Sequence, residues 1–167
     1  MTDVIDPRAP GEARRNAGAL EKQIDAILDQ NHVMSLATNR PDGWPQVTQV
    51  NYLHDGRDLY FVVARDSQKL ANIQRDNRVS IALGGTAARS RCRGLSMSAH
   101  VIEVSDLGEV AHLNQLLWRS PDQNGFKPHP ESANIAVLKA RPHVVSLIDY
   151  SSPPGFSEII DMTAVGG

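Results

Sequence analysis

A chain of 167 residues, 41% hydrophobic and 22% charged, is long enough for one domain with a full core and has an ordinary globular balance. A net charge of -2 and a pI near 6.3 exclude a general nucleic-acid binder, which carries a basic excess. No apolar run approaches the roughly 20 residues that span a bilayer, and the N-terminus MTDVIDPRAPGEARRNAG lacks the apolar stretch of a secretory signal, so a cytoplasmic chain without membrane contact is expected.

Residues 1–18 are polar, rich in Pro, Gly, Ala and Arg, and without apolar period, which predicts a loose arm. The domain is expected over 19–156, with a tail at 157–167. Leu20, Ile24, Ile27 and Leu28 fall at helical spacing and mark one face of an amphipathic helix ending near Gln30 and Asn31. A first strand follows at 32–38 (HVMSLAT). The turn NRPDGW holds Pro-Asp-Gly, the chemistry of a tight reversal, and leads into a second strand at 45–52. After the turn His54-Asp55-Gly56-Arg57 comes a third strand at 58–64, completing an antiparallel meander.

Asp66 or Ser67 caps a helix running to about Arg75, with Leu70 and Ile73 as its apolar contacts. A fourth strand at 78–83 is expected to stop at Gly84 and Gly85. In the fifth, 93–104, Leu95, Met97, Ala99 and Val101 alternate with polar residues, the period of a half-buried strand. Val110, Leu113, Leu116 and Leu117 form the buried stripe of a third helix over 106–119. A loop at 120–130, two short strands at 134–139 and 143–150 separated by Pro142, and an irregular tail complete the chain. About seven short, locally linked strands with three helices predict a mainly β, α+β fold built on a barrel.

The segment DGRDLYFVVARDSQKLANIQRDNRVSIAL carries the most chemistry. A strand ends in a sharp turn, and Ser67 and Lys69 stand where the next helix begins. A helix start offers unpaired N–H groups and partial positive charge. With a hydroxyl and an ammonium beside them, it suits a phosphate, so a phosphorylated cofactor is expected. Neither GxGxxG nor GxxxxGK[ST] occurs.

The histidines, at 32, 54, 100, 112, 129 and 143, show no metal-binding spacing, so no metal site is expected. Cys92 stands alone, which excludes an intramolecular disulfide and suits a small buried apolar residue. Arg89, Arg91 and Arg93 alternate with Ser90 and Cys92, the pattern of a solvated strand end or of a basic row facing a partner's phosphate.

The order and spacing of three features resemble the pyridoxamine 5′-phosphate oxidase-like flavoproteins, the FMN-binding split β-barrels. They are HVMSLAT followed by a Gly-Trp-Pro turn, the Ser67-Gln68-Lys69 turn, and an Asn-x-x-x-(Asp/Asn)-x-x-Val pattern from Asn72 to Val79. The closing segment RPHVVSLIDYSSPPGF is similar as well. The resemblance implies a homodimer with FMN in two clefts at the subunit interface and a small-molecule substrate. It implies that Ser67 and Lys69 hold the phosphate, that Val62 and Val63 pass the ribityl chain, and that Gln46, Val47, Thr48, Gln49 and Asn51 line the ring, largely through backbone groups. Gln68 stands where the oxidase proper has an arginine, and Arg65 is the nearby cation that could compensate. Gly94 falls near a glutamine of the oxidase, and the chain has no arginine after Arg141 for a substrate phosphate, which argues against pyridoxamine 5′-phosphate oxidation itself.

The chemistry implied is oxidoreduction, with hydride or electrons passing between FMN and a small organic molecule. No catalytic acid or base stands out. Alternatives remain open: a deazaflavin-dependent reductase whose longer acidic tail would use Arg65, Lys69, Arg89 and Arg91; a carrier or sensor of flavin or haem, with His54, His100 or His143 as candidate axial ligands; and a degenerate barrel. Trp118 belongs to packing or to the flavin region.

Overall fold

A computed structural model describes residues 4–5, 12–85, 93–119, 134–150 and 156–161. Nine strands among them form one sheet, antiparallel apart from a parallel pairing of the first and last, with three helices against it. In chain order these are β1 (Val4–Ile5), α1 (Glu12–Gln30), β2 (Val33–Asn39), β3 (Pro45–Asn51), β4 (Leu53–Asp55), β5 (Asp58–Ala64), α2 (Gln68–Arg75), β6 (Arg78–Gly85), β7 (Arg93–Glu103), α3 (Leu107–Arg119), β8 (Ile135–Asp149) and β9 (Phe156–Asp161). The sheet runs β1-β9-β8-β7-β6-β2-β3, and β5 joins from the side by pairing with β8 and β4.

The 15-residue strand β8 creates the barrel. One of its edges pairs with β7 along most of its length. The other pairs with β5 from Ile135 to Ala140 and then with β9 from Val144 to Asp149. The sheet therefore divides at β8, and the β5 branch curls back until β5 meets β3, with no ladder between them among the described residues. Helix α2 touches both β2 and β5 at this seam. The result is a split β-barrel.

The core follows the alternation of the strands. Met34 and Leu36 of β2, Leu59, Phe61 and Val63 of β5, Val79, Ile81 and Leu83 of β6, and Leu95, Met97, Ala99 and Val101 of β7 all point inward and are buried. Leu20, Ile24, Ile27 and Leu28 of α1 join this cluster as expected; each such side chain contributes on the order of 1.5–3 kcal/mol by leaving water. Tyr52 secures α1 to the end of β3, its hydroxyl donating to the Leu28 carbonyl at 3.0 Å. The Pro41-Asp42-Gly43 reversal also forms: Gly43 takes φ +86°, and Asp42 Oδ1 accepts from the Trp44 N–H at 3.1 Å.

Five expectations change. The strand at 58–64 does not complete a meander, because β5 pairs with β8 and β4 rather than with β3. The first helix begins at Glu12 and a short strand at Val4–Ile5 precedes it, so the polar N-terminal segment is partly structured. Its first turns lack an apolar face, which is why periodicity found only the later half. Strand β6 does not stop at its glycines. Gly84, at φ +96°, continues it because Gly94 on β7 lies directly opposite, and a Cβ at Gly84 would stand 2.6 Å from the Gly94 Cα. Two glycines facing each other allow a close strand approach rather than a break. The strands expected at 134–139 and 143–150 are one strand, since Pro142 sits at a bulge where its missing N–H is harmless. The segment after 155 forms β9 against β8, with Ile160 buried; its alternation is too short to stand out.

No helix of the described residues is long and apolar enough to cross a membrane. The stretch containing Arg89, Arg91 and Cys92, the side chain of Trp118, and His129 lie outside what the structure describes. Arg93 is described: it binds the buried Asp149 carboxylate through Nε at 2.8 Å and Nη2 at 2.6 Å, so its charge is committed within its own chain.

Candidate cofactor site

The turn between β5 and α2 is built by Ser67. Its hydroxyl donates to the Ala64 carbonyl at 2.6 Å and accepts from the Leu70 N–H at 3.2 Å, so one side chain closes the turn and caps the helix. The Ser67 and Ala71 N–H groups bond to Ala64 and Ser67 carbonyls. That leaves the N–H groups of Gln68 and Lys69 as the helix-start donors without a partner among the described residues.

Lys69 lies half-buried beside them. It has no hydrogen-bond or ion-pair partner among the described residues, and burial pulls its ammonium below the ordinary lysine pKa. A desolvated cation, two free N–H groups and the positive end of α2 share one short segment. Such an arrangement is suited to receive an anion.

The remaining expected residues divide between the two faces of β3. Gln46, Thr48 and Val50 turn inward, whereas Val47, Gln49 and Asn51 turn outward. Side chains from all of them cannot reach one ligand. The backbone is the shared feature, because β3 ends the sheet path and has one edge unpaired among the described residues. Thr48 Oγ1, on the inward face of β3, is buried with no hydrogen-bond partner among the described residues. Gln49 Nε2 donates to Ser35 Oγ at 2.7 Å on the outer face. On β5, Val62 is half-buried and Val63 belongs to the core. Arg65 is engaged by Glu103, Nη2 to Oε1 at 2.7 Å, rather than standing free at the turn.

One residue central to this arrangement entered the sequence reading only as the first position of the family pattern and was given no role there. Asn72, fully buried, donates through Nδ2 to Thr38 Oγ1 and to Gln46 Oε1, both at 3.1 Å, and accepts from Gln68 Nε2 at 2.9 Å. It ties the first turn of α2 to β2 and to the start of β3. The signal was present in sequence as a polar residue between the apolar contacts Leu70 and Ile73, where a helix turned to the core would ordinarily bury a hydrocarbon.

A depression of about 490 Å³ lies elsewhere, on the outer face. Its lining includes Asn39, Pro45, Arg78, Ser98, His100 and His143, and no residue of the Lys69 turn.

Comparison with known proteins agrees with this architecture. General stress protein 26 of Bacillus subtilis (strain 168) is 24% identical over 135 residues, spanning 80% of this chain and 91% of that protein. A haem-binding protein from Mycobacterium smegmatis superposes with a TM-score of 0.70 at 16% identity, over 86% of this chain and 58% of that longer one. An F420 reductase superposes with a TM-score of 0.57 at 28% identity, over 73% and 94% of the two chains. The family model described as pyridoxamine 5′-phosphate oxidase matches residues 20–149, from the first buried leucine of α1 to the end of β8. With the barrel, the seam and the sequence match in agreement, the chain belongs to the pyridoxamine 5′-phosphate oxidase family.

Proposed function

We propose that this chain is an FMN-binding oxidoreductase that passes hydride or electrons between the flavin and a small organic molecule. The half-buried Lys69 at the start of α2, without a partner among the described residues, carries the reading. Its ammonium, with the N–H groups of Gln68 and Lys69, would take the phosphate, while Ser67 shapes the turn. The open edge of β3 and the Thr48 hydroxyl would meet the polar rim of the ring. The flavin itself would supply the redox chemistry, and the protein supplies position, hydrogen bonds and exclusion of water.

A second copy of the chain completes the proposal. On the outer face, Ser35, Ala82, Ser96 and Ser146 lie side by side across β2, β6, β7 and β8, one row away from the depression beside His100 and His143. Small side chains make this face flat enough to receive another sheet, which supports a homodimer.

The similarity to an F420 reductase motivates the competing reading of a deazaflavin. A longer acidic tail would draw on further cations, and Arg65 is paired with Glu103, which supports the shorter anionic tail of FMN.

The test is an absorbance spectrum of purified protein after incubation with FMN and gel filtration, with sedimentation of the same sample. Retained flavin bands on a dimer support the reading. Protein that elutes clean of FMN, or that instead retains the deazaflavin or shows a Soret band with haem, overturns it.

A further inference from the structure

The ladder between β7 and β8 shifts register between Ser98 and Ala99. Ser98 opposes Val144 and Ala99 opposes Pro142, so His143 is the extra residue of a β-bulge. Pro142 has no N–H to offer a ladder, which favours the irregularity at this point. Bulges re-aim side chains. This one sets the His143 ring against His100 of β7, edge to face, with ring centroids 4.3 Å apart and planes at 88°. Nδ1 of His100 touches Nε2 of His143 directly.

Two imidazole nitrogens in contact cannot both carry protons. They share one proton or a common Lewis acid. Their surroundings suit the second. Ala37, Ser80 and Ser98 are small and leave the outer depression of about 490 Å³ open beside the pair. Arg78 also lines it, but its guanidinium is held by Asp76 through Nε at 2.9 Å and Nη2 at 2.8 Å, so its charge is answered locally. Both rings stand on neighbouring strands of a continuous sheet, which fixes their separation before any ligand arrives.

We infer that His100 and His143 form a two-imidazole site for a late first-row divalent transition-metal ion, one per chain, with its remaining coordination positions open to water or a small ligand in the depression. Neutral imidazole is a ligand of choice for Zn²⁺, Cu²⁺ and Ni²⁺. With metal–nitrogen bonds of about 2.0–2.1 Å, two nitrogens on one ion stand roughly 3 Å apart, so a small rotation of either ring admits the ion. No group of three or more His, Cys, Asp or Glu gathers among the described residues, which makes this an open, exchangeable site rather than a closed structural one. The inference does not depend on the flavin reading.

Calorimetric titration of the chelator-treated full chain with Zn²⁺ tests it, using wild type, His100→Gln, His143→Gln and, as control, His54→Gln. One saturable site per chain is expected. Each of the first two variants should weaken it by at least about tenfold, since even loss of a supporting group around a metal costs 10–100-fold; His54→Gln should leave it intact. Thermal melts without metal identify any variant that fails to fold, and the other then decides. Absence of saturable binding, or a site that survives removal of either imidazole, overturns the assignment and leaves a proton-sharing pair only.

Discussion

Replacing Asn72 by alanine tests the link between the phosphate turn and the barrel. The amide loses two donated bonds, to Thr38 Oγ1 and Gln46 Oε1, and one accepted from Gln68. The Gln68 bond is on the exposed side and is replaced by water. The two inner bonds contribute about 1 kcal/mol each, and Thr38, 2% exposed, is left with an unpaired oxygen costing roughly 1–3 kcal/mol. The expected loss is therefore about 3–5 kcal/mol. For a chain of this length that lowers Tm by roughly 6–20 °C at about 2–4 °C per kcal/mol. Urea unfolding followed by circular dichroism gives the free energy, and a double-mutant cycle assigns it. Adding Thr38→Val to Asn72→Ala removes the orphaned oxygen, so the double variant should recover on the order of 1 kcal/mol relative to the sum of the singles. A single-variant loss below about 1 kcal/mol, or strict additivity, would refute the buried-network reasoning.

Three other outcomes follow from the same structure. Gly84→Ala places a Cβ 2.6 Å from the Gly94 Cα at φ +96°, so it should destabilise by more than about 2 kcal/mol in the same urea assay; a neutral result would mean the close approach is not required. Glu109 is held below the usual carboxylate pKa, chiefly by the Lys139 ammonium bonded to it and also by the Tyr60 hydroxyl. Its folded pKa is depressed, so its contribution is present above the unfolded value near 4.5 and is lost as pH falls through the lower folded value; Glu109→Gln should flatten stability against pH in that acid window. Lys69 must be protonated to hold a phosphate, and its pKa is lowered by burial, so FMN affinity should decline with rising pH before the ordinary lysine value of 10.5 is reached.

Local rules made most of the elements readable. The apolar faces of α1 and α3, the Pro-Asp-Gly reversal and the Ser67 cap each depend on residues within a few positions, and each formed as expected. Features that depend on a distant partner were harder to see. Gly84 reads as a strand terminator until Gly94 is placed opposite it. Pro142 reads as a boundary until the bulge shows where its missing N–H falls. At the turn, the Ser67 cap was legible because a helix start is local chemistry, whereas the pairing of Arg65 could not be read without knowing that Glu103 of β7 reaches it. His100 and His143 lie 43 positions apart, and no sequence spacing announces their contact.

The central claim is that the α2 start binds the phosphate of FMN through Lys69. Equilibrium titration of flavin fluorescence with wild type and Lys69→Ala tests it most directly. The account predicts micromolar or tighter FMN binding by wild type. It also predicts a loss of about ten- to hundredfold in the variant, the equivalent of a charged hydrogen bond of roughly 1.5–3 kcal/mol. Equal affinity in both proteins, or no binding by either, would contradict it.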